Sequence, residues 1–314
     1  MKRVLFENLS KSDLAEYSSL LTNNTKKENW KILRSAILQK TAFPDLYPED
    51  LGTFLISDFS ILNQIYNDKN ILSFLSPDDV KRAKSIFNYS KYWASKIGNY
   101  FISKYDKLGI STCFYCDMNY VFPYQTAKSK TRMFDLDHFF ENADSPLTAI
   151  SLYNFVPSCQ VCNSRIKHDK PFNVLYHLES IPDINDFNCI SPSSANYKFD
   201  ENVKIMITEN SSGIGFFGDS NKFDITFDTD ETDYKRIIKG FNLEERYNFP
   251  MIKKQALNLL NCKRQFPDTR IQKIANFFNN NYCDVYSAIF RLDKDSEENA
   301  VFGKLYKDIL KYND

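Results

Sequence analysis

Glycine, proline and histidine are all scarce in this chain. Of 314 residues, 8 are glycine, 11 proline and 3 histidine. So little glycine and proline, with no repeat or low-complexity tract, excludes a collagen-like, linker-like or disordered polypeptide. No apolar run approaches the roughly 18 residues that cross a bilayer as a helix, so no membrane partner is expected. The opening Met1-Lys-Arg-Val-Leu-Phe-Glu7 lacks the apolar core of a secretory signal, and the expected location is cytoplasmic. An excess charge of one sign is missing too, because 40 basic residues meet 40 acidic ones. A chain that held nucleic acid by bulk electrostatics alone would be basic. Phosphate contacts here must come from local clustering or from a basic partner.

What is present is apolar and aromatic. Hydrophobic residues make up 43% of the chain and aromatics 15%, enough for one elaborate domain or two to three small ones. The cysteine count is odd, at 7, and four of them stand as Cys113-Phe-Tyr-Cys116 and Cys159-Gln-Val-Cys162. In a cytosolic setting that pattern reads as metal binding, not as a disulfide framework. Cys189, Cys262 and Cys283 stand alone and read as buried or partly exposed thiols.

The first hundred residues carry helical signals. Ser10-Lys-Ser-Asp13 is a capping box that opens a helix through Leu21, and a second helix is expected over 28–40 before a proline-containing break at 43–48. Ser76-Pro-Asp-Asp79 is a further helix start. Beyond it Val80, Ala83, Phe87, Ala94, Ile97 and Phe101 form one apolar stripe interrupted by Ser90, and Gly109 closes the segment. Lys81, Arg82, Lys84, Lys91 and Lys96 lie mostly off that stripe, as a solvated face or a phosphate-facing one. Asn119–Phe122 and Arg132–Leu136 then read as two strands joined by the basic Gln125–Thr131 loop, with a short helix over 163–170. Later, 203–207 and 223–227 alternate around the turn Ser211-Ser-Gly213, and helices are expected at 231–240, 251–265, 268–280 and 296–312.

Two CxxC pairs separated by 42 residues suit a four-cysteine structural zinc site. A thioredoxin-like motif needs one pair in a βαβ context, and the spacings do not fit the ferredoxin patterns. Between the pairs lies Asp137-His138. A lone histidine is more often structural than catalytic, yet two of the three histidines, His138 and His168, fall in this segment. Adjacent residues on a strand point to opposite faces, which can aim a carboxylate at a metal and an imidazole at water.

Together, Asp137-His138, Asn154 in Tyr153-Asn-Phe-Val-Pro-Ser-Cys159, and Cys162-Asn163 with Lys167 resemble the HNH endonucleases of the His-Me finger (ββα-metal) superfamily. They resemble most the zinc-bearing branch found in bacterial restriction and phage-defence proteins. The resemblance covers about a fifth of the chain, residues 110–172. It implies a zinc-stabilised ββα-metal module at 109–172. With the helical and alternating signals read on either side, the expected fold class is α+β, mostly helical, with helical regions at 1–108 and 231–314 and a small β-containing region at 173–230. It further implies that His138 is the general base and that Asn154 fixes the loop after it. Asp137 and Asn163 would hold one catalytic Mg²⁺ or Mn²⁺, while Cys113, Cys116, Cys159 and Cys162 hold Zn²⁺. The expected substrate is nucleic acid, DNA above RNA, cut to leave a 5′-phosphate and a 3′-hydroxyl. Lys128, Lys130, Arg132, Arg165, Lys167, His168 and Lys170 are candidate phosphate contacts.

Two departures stand out. The family commonly carries proline and basic residues after Asp-His, where this chain has Phe139-Phe-Glu-Asn-Ala-Asp144. The family's Lys-Gly is here Lys167-His168. The acidic loop and the missing basic surface lead to the expectation of a regulatory partner docking on the helical regions, such as an ATPase. The alternative is a zinc-stabilised module that binds nucleic acid or protein without cutting. A nucleoside deaminase is set aside, because it needs His-x-Glu before Cys-x-x-Cys and His138-Phe-Phe-Glu141 has the wrong spacing.

Overall fold

Side-chain caps set where the N-terminal helices begin. In α1 (Lys11–Leu21) Ser10 and Asp13 form a reciprocal capping box, and Asn23 caps α2 (Asn24–Leu38) by accepting from the Lys26 amide. α3 (Leu51–Leu55) and α4 (Phe59–Asn67) start from Asp50 and Asp58 in the same way. Ser76 caps α5 (Pro77–Phe87), with proline in the first turn. At the Ser90 interruption of the stripe the helix ends at 88–90, and α6 (Lys91–Ser103) starts afresh behind an extended Ser90. A serine that favours extended backbone over the helix makes that break. Gly109, at φ +66°, ends the segment in a conformation that side chains resist.

The structure, a computed structural model, describes residues 1–127, 129–143, 145–168, 190–209, 221–290, 292 and 300–312. Lys128, Lys170, Asp144, Cys189 and the expected turn at 211–213 lie outside the described residues. So does the first part of the expected helix 296–312, whose observed counterpart is Gly303–Tyr312. The protein is mostly helical, with three antiparallel sheets of two strands each among the described residues. It divides into two compact units.

The larger unit comprises residues 3–114 and 121–197. Trp30, Leu33 and Ile37 form the buried face of α2, where Trp30 meets the rings of Phe54 and Phe87. The N-terminal helices also line the segment after His138. Phe59 and Tyr66 of α4 stack on Phe140 at 5.3 and 4.6 Å, and Tyr17 of α1 donates to the Ile150 carbonyl at 2.9 Å.

The strands differ from the sequence expectation. β1 (Pro123–Gln125) and β2 (Lys130–Arg132) form a short exposed hairpin around the basic loop. β3 (Asp135–His138) pairs instead with β4 (Phe155–Ser158), with Asp137 opposite Val156 and His138 opposite Phe155. Phe155-Val-Pro-Ser158 is buried at every position, so it shows no period-2 pattern that periodicity could detect.

The other unit comprises residues 1–2, 115–120 and 198–314. Its sheet pairs β5 (Lys204–Glu209) with β6 (Phe223–Asp228), Ile205 opposite Phe227 and Ile207 opposite Ile225. Helices at Thr232–Gly240, Pro250–Gln265 and Asp268–Phe277 lie close to the expected spans. Tyr282–Phe290 is an additional helix that the sequence reading did not mark.

Candidate active site and metal centre

The metal centre begins with two chain reversals. Cys113 and Cys116 lie in one turn, Cys159 follows β4, and Cys162 falls in the helix Val161–Lys167. The four Sγ atoms lie within 4.8 Å of one another, and all four cysteines are buried. Sulfurs at the corners of a tetrahedron with Zn–S near 2.3 Å stand roughly 3.8 Å apart, so the donor set fits a zinc ion. The Cys159 amide donates to Cys113 Sγ at 3.3 Å, a bond that suits a thiolate acceptor. Four thiolates packed together without a cation would be mutually repelling and desolvated. Zn²⁺ removes both costs.

The Val161–Lys167 helix is wound as a π-helix, and the His168 amide closes it onto the Asn163 carbonyl five residues back, at 2.8 Å. In this wider winding Cys162 and Lys167, five residues apart, are both buried. An α-helix would turn them well away from each other. His168 ends the helix at φ 49°, ψ −129°, a conformation that favours glycine. It is the position where the HNH pattern has glycine.

β3 distributes its side chains by alternation. His138 is packed between the rings of Tyr89, edge-on at 4.3 Å, and Phe155 at 4.8 Å. Its Nε2 lies 2.9 Å from the Ala149 carbonyl oxygen. A carbonyl only accepts, so Nε2 carries the proton and Nδ1 keeps the lone pair. Burial pushes the imidazole pKa down to about 4, and the Lys167 charge acts in the same direction, against the opposing effect of the Ala149 bond. His138 is therefore neutral at physiological pH, the state a base requires.

Asn154 is fully buried and ties down the loop after His138. Its Oδ1 accepts from the Phe140 amide at 2.8 Å, while Nδ2 donates to the carbonyls of Phe140 and Thr148 at 3.0 and 3.1 Å. The Asn154 carbonyl accepts from the Phe139 amide at 2.8 Å. These bonds span the two ends of the loop, so the peptide after His138 has little freedom.

The expected metal ligands, Asp137 and Asn163, have different hydrogen-bond partners. Asn163 donates from Nδ2 to Asp135 Oδ2 at 3.1 Å. Asp137 is buried and accepts from the Lys167 ammonium at 2.7 Å, and that ammonium also donates to the His138 carbonyl at 2.6 Å. Lys167, expected as a surface phosphate contact, is thus a buried cation beside Asp137, because the π-turn directs it inward. Asp135 sits two residues before Asp137 on the strand and shares its face. The sequence reading passed over it, although that i, i+2 spacing was the available signal.

Among the other expected contacts, Lys130, Arg165 and His168 are exposed. Arg132 is half-buried, and its Nη1 has no hydrogen-bond partner among the described residues. A Cβ on Gly98 would come within 3.0 Å of that nitrogen, so glycine leaves room for the guanidinium. Tyr89, which the sequence reading also passed over, sits at the α5–α6 break; no local motif marks it.

Comparison with known proteins found no matching family model, no matching curated protein and no matching solved structure. The functional reading therefore rests on the residues themselves.

Proposed function

We propose that the protein is a metal-dependent endonuclease of HNH type that hydrolyses phosphodiester bonds in nucleic acid. The observation that carries this reading is the state of His138: a neutral imidazole with Nε2 committed to the Ala149 carbonyl, on a segment that Asn154 holds at both ends. Such an arrangement leaves Nδ1 to take a proton from water.

The oxygens of Asp135 and Asn163 suit a hard divalent cation, Mg²⁺ or Mn²⁺. Asp137 would complete the ligand set if the ion took the place of the Lys167 ammonium beside it. The ion, when bound, would neutralise charge developing on the leaving oxygen. Arg132 and Arg165 would then contact the phosphate. The four-cysteine zinc ties β4 to the helix that carries Asn163 and Lys167.

The buried Asp137–Lys167 pair favours a second reading, a zinc-stabilised nucleic-acid-binding module that does not cut. The two readings separate in one assay. The purified protein is incubated with plasmid, linear duplex, single strands and RNA, each with Mg²⁺, Mn²⁺ or EDTA. Metal-dependent cleavage giving 5′-phosphate ends supports the nuclease. Binding without cleavage under every metal supports the module.

A further inference from the structure

Between Asp79 and Asp106 the chain carries six basic residues and no acidic one. Three of them are accounted for locally: Arg82 pairs with Asp79, Lys104 with Asp13 and Glu16, and Lys81 lies 3.5 Å from Asp78. Lys84, Lys91 and Lys96 have no carboxylate partner among the described residues. In a chain of zero net charge this is a local positive surface.

On α6 that charge meets aromatic rings. Lys96 Nζ lies 4.7 Å from the Tyr92 ring centroid and 5.0 Å from that of Trp93. Lys26 of α2 brings a second ammonium to 4.1 Å from the same Trp93 ring. Lys26 is only 7% exposed, and its Nζ has no hydrogen-bond partner among the described residues. The ring contact returns part of the cost of burying it. The rest is unanswered, since two like charges meet on one indole with no anion beside them among the described residues. Burial and the Lys96 charge push the Lys26 ammonium down to about 8, as expected for a cation lacking a counter-ion.

The rings themselves face solvent. Tyr92 is 61% exposed and Trp93 is partly so. Tyr89, in edge contact with His138 at 4.3 Å, precedes Tyr92 by three residues, a span of at most about 11 Å of chain. That is at most about three nucleotides at about 3.4 Å per stacked nucleotide.

We propose that the Tyr92–Trp93–Lys96 face of α6, with Lys26 and Lys91, binds a single-stranded stretch of nucleic acid, stacking a base and neutralising its phosphates beside His138. Exposed rings interleaved with lysines are how unpaired strands are held, because every base has a face to stack. The inference rests on the nuclease reading and gives that site its substrate, a strand unpaired next to the scissile bond.

Indole fluorescence tests it directly. The chain has two tryptophans, and Trp30 is fully buried, so quenching by a ligand reports Trp93. Wild-type protein in EDTA is titrated with a short oligo-dT single strand and with a duplex of equal length. Quenching is expected, with the single strand bound at least about tenfold more tightly than the duplex, the scale of one stacked base. Tyr92→Ala with Lys96→Glu should weaken the single strand about tenfold or more. Lys91→Glu, on an exposed side chain, should lower the salt slope. The absence of quenching, equal affinity for duplex, or unaltered binding by the variants overturns the platform. Variants that still cleave like wild type would overturn the platform and leave the nuclease reading standing. Quenching by a protein that cleaves nothing would keep the platform and remove the nuclease.

Discussion

Lys167 places its ammonium 2.7 Å from Asp137 Oδ1, and both side chains are almost completely buried. A positive charge thus already occupies the neighbourhood of the carboxylate expected to hold a metal. A divalent ion at the proposed metal site would compete with that ammonium for Asp137. Removing Lys167 should expose the competition. Lys167→Met takes the ammonium away from the buried Asp137 carboxylate, and the protein should lose about 3–5 kcal/mol in EDTA. Adding Mg²⁺ or Mn²⁺ should recover part of this, seen as a rise in melting temperature larger than in wild type. A variant that divalent ions do not stabilise would remove Asp137 from the catalytic metal site.

Asn154→Ala strands the Phe140 amide and the Phe140 and Thr148 carbonyls. A loss of about 3 kcal/mol is expected, since each buried group left without its partner costs about 1–3 kcal/mol and some are rehydrated. Chemical denaturation measures it. Asn154→Asp should not rescue stability, because a carboxylate cannot donate to the two carbonyls. A near-neutral alanine variant would show that the loop after His138 is held by other means.

Zinc analysis should find one ion per chain, bound by the four cysteines that meet within 4.8 Å. Cys113→Ser removes one thiolate and the acceptor of the Cys159 amide. Chelation or that substitution should unfold the β3–β4 segment, because metal binding there is folding free energy. Retention of the native near-ultraviolet spectrum after complete zinc removal would contradict a structural role.

Lys26 gives a pH signature. Its folded pKa, near 8, lies below the ordinary lysine value of 10.5. The unfolded chain therefore holds more protons between those values, and stability from this group rises as pH climbs from about 8 to 10.5. Below pH 8 the ammonium is charged in both states and its burial cost is constant. Lys26→Met should accordingly stabilise the protein at pH 7, with the gain shrinking toward pH 10. Equal effects at both pH values would show that the ammonium finds a partner in solution.

The four-cysteine cluster was more legible in the sequence than the strand pairing beside it. CxxC spacing marked the four cysteines, because two thiols three residues apart in one turn chelate with little need of context. Helix starts at Ser10 and Ser76 were legible for the same reason, since a cap acts on its own first turn. β4 was not, being buried at all four positions, and with it went the true partner of β3. Lys167 stands among the candidate phosphate contacts because nothing in the sequence marks the π-winding that buries it. His168 departs from glycine at a site with φ 49°. The sequence shows that substitution but not the backbone conformation that makes it strained. Tyr89 meets His138 only through tertiary packing, which no local pattern encodes.

The proposed role of His138 as the base of a phosphodiester hydrolysis is decided by the rate of Mg²⁺- or Mn²⁺-dependent cleavage by wild type and by His138→Ala. Nucleic acid carrying an unpaired stretch is the substrate, and both proteins are first shown to hold zinc and to melt alike. Wild type should cut, and the alanine variant should bind the same substrate but cut about 10²–10⁴-fold more slowly, the share a positioned general base contributes. Cleavage by His138→Ala at the wild-type rate, or no cleavage by wild type under any divalent metal, would contradict it.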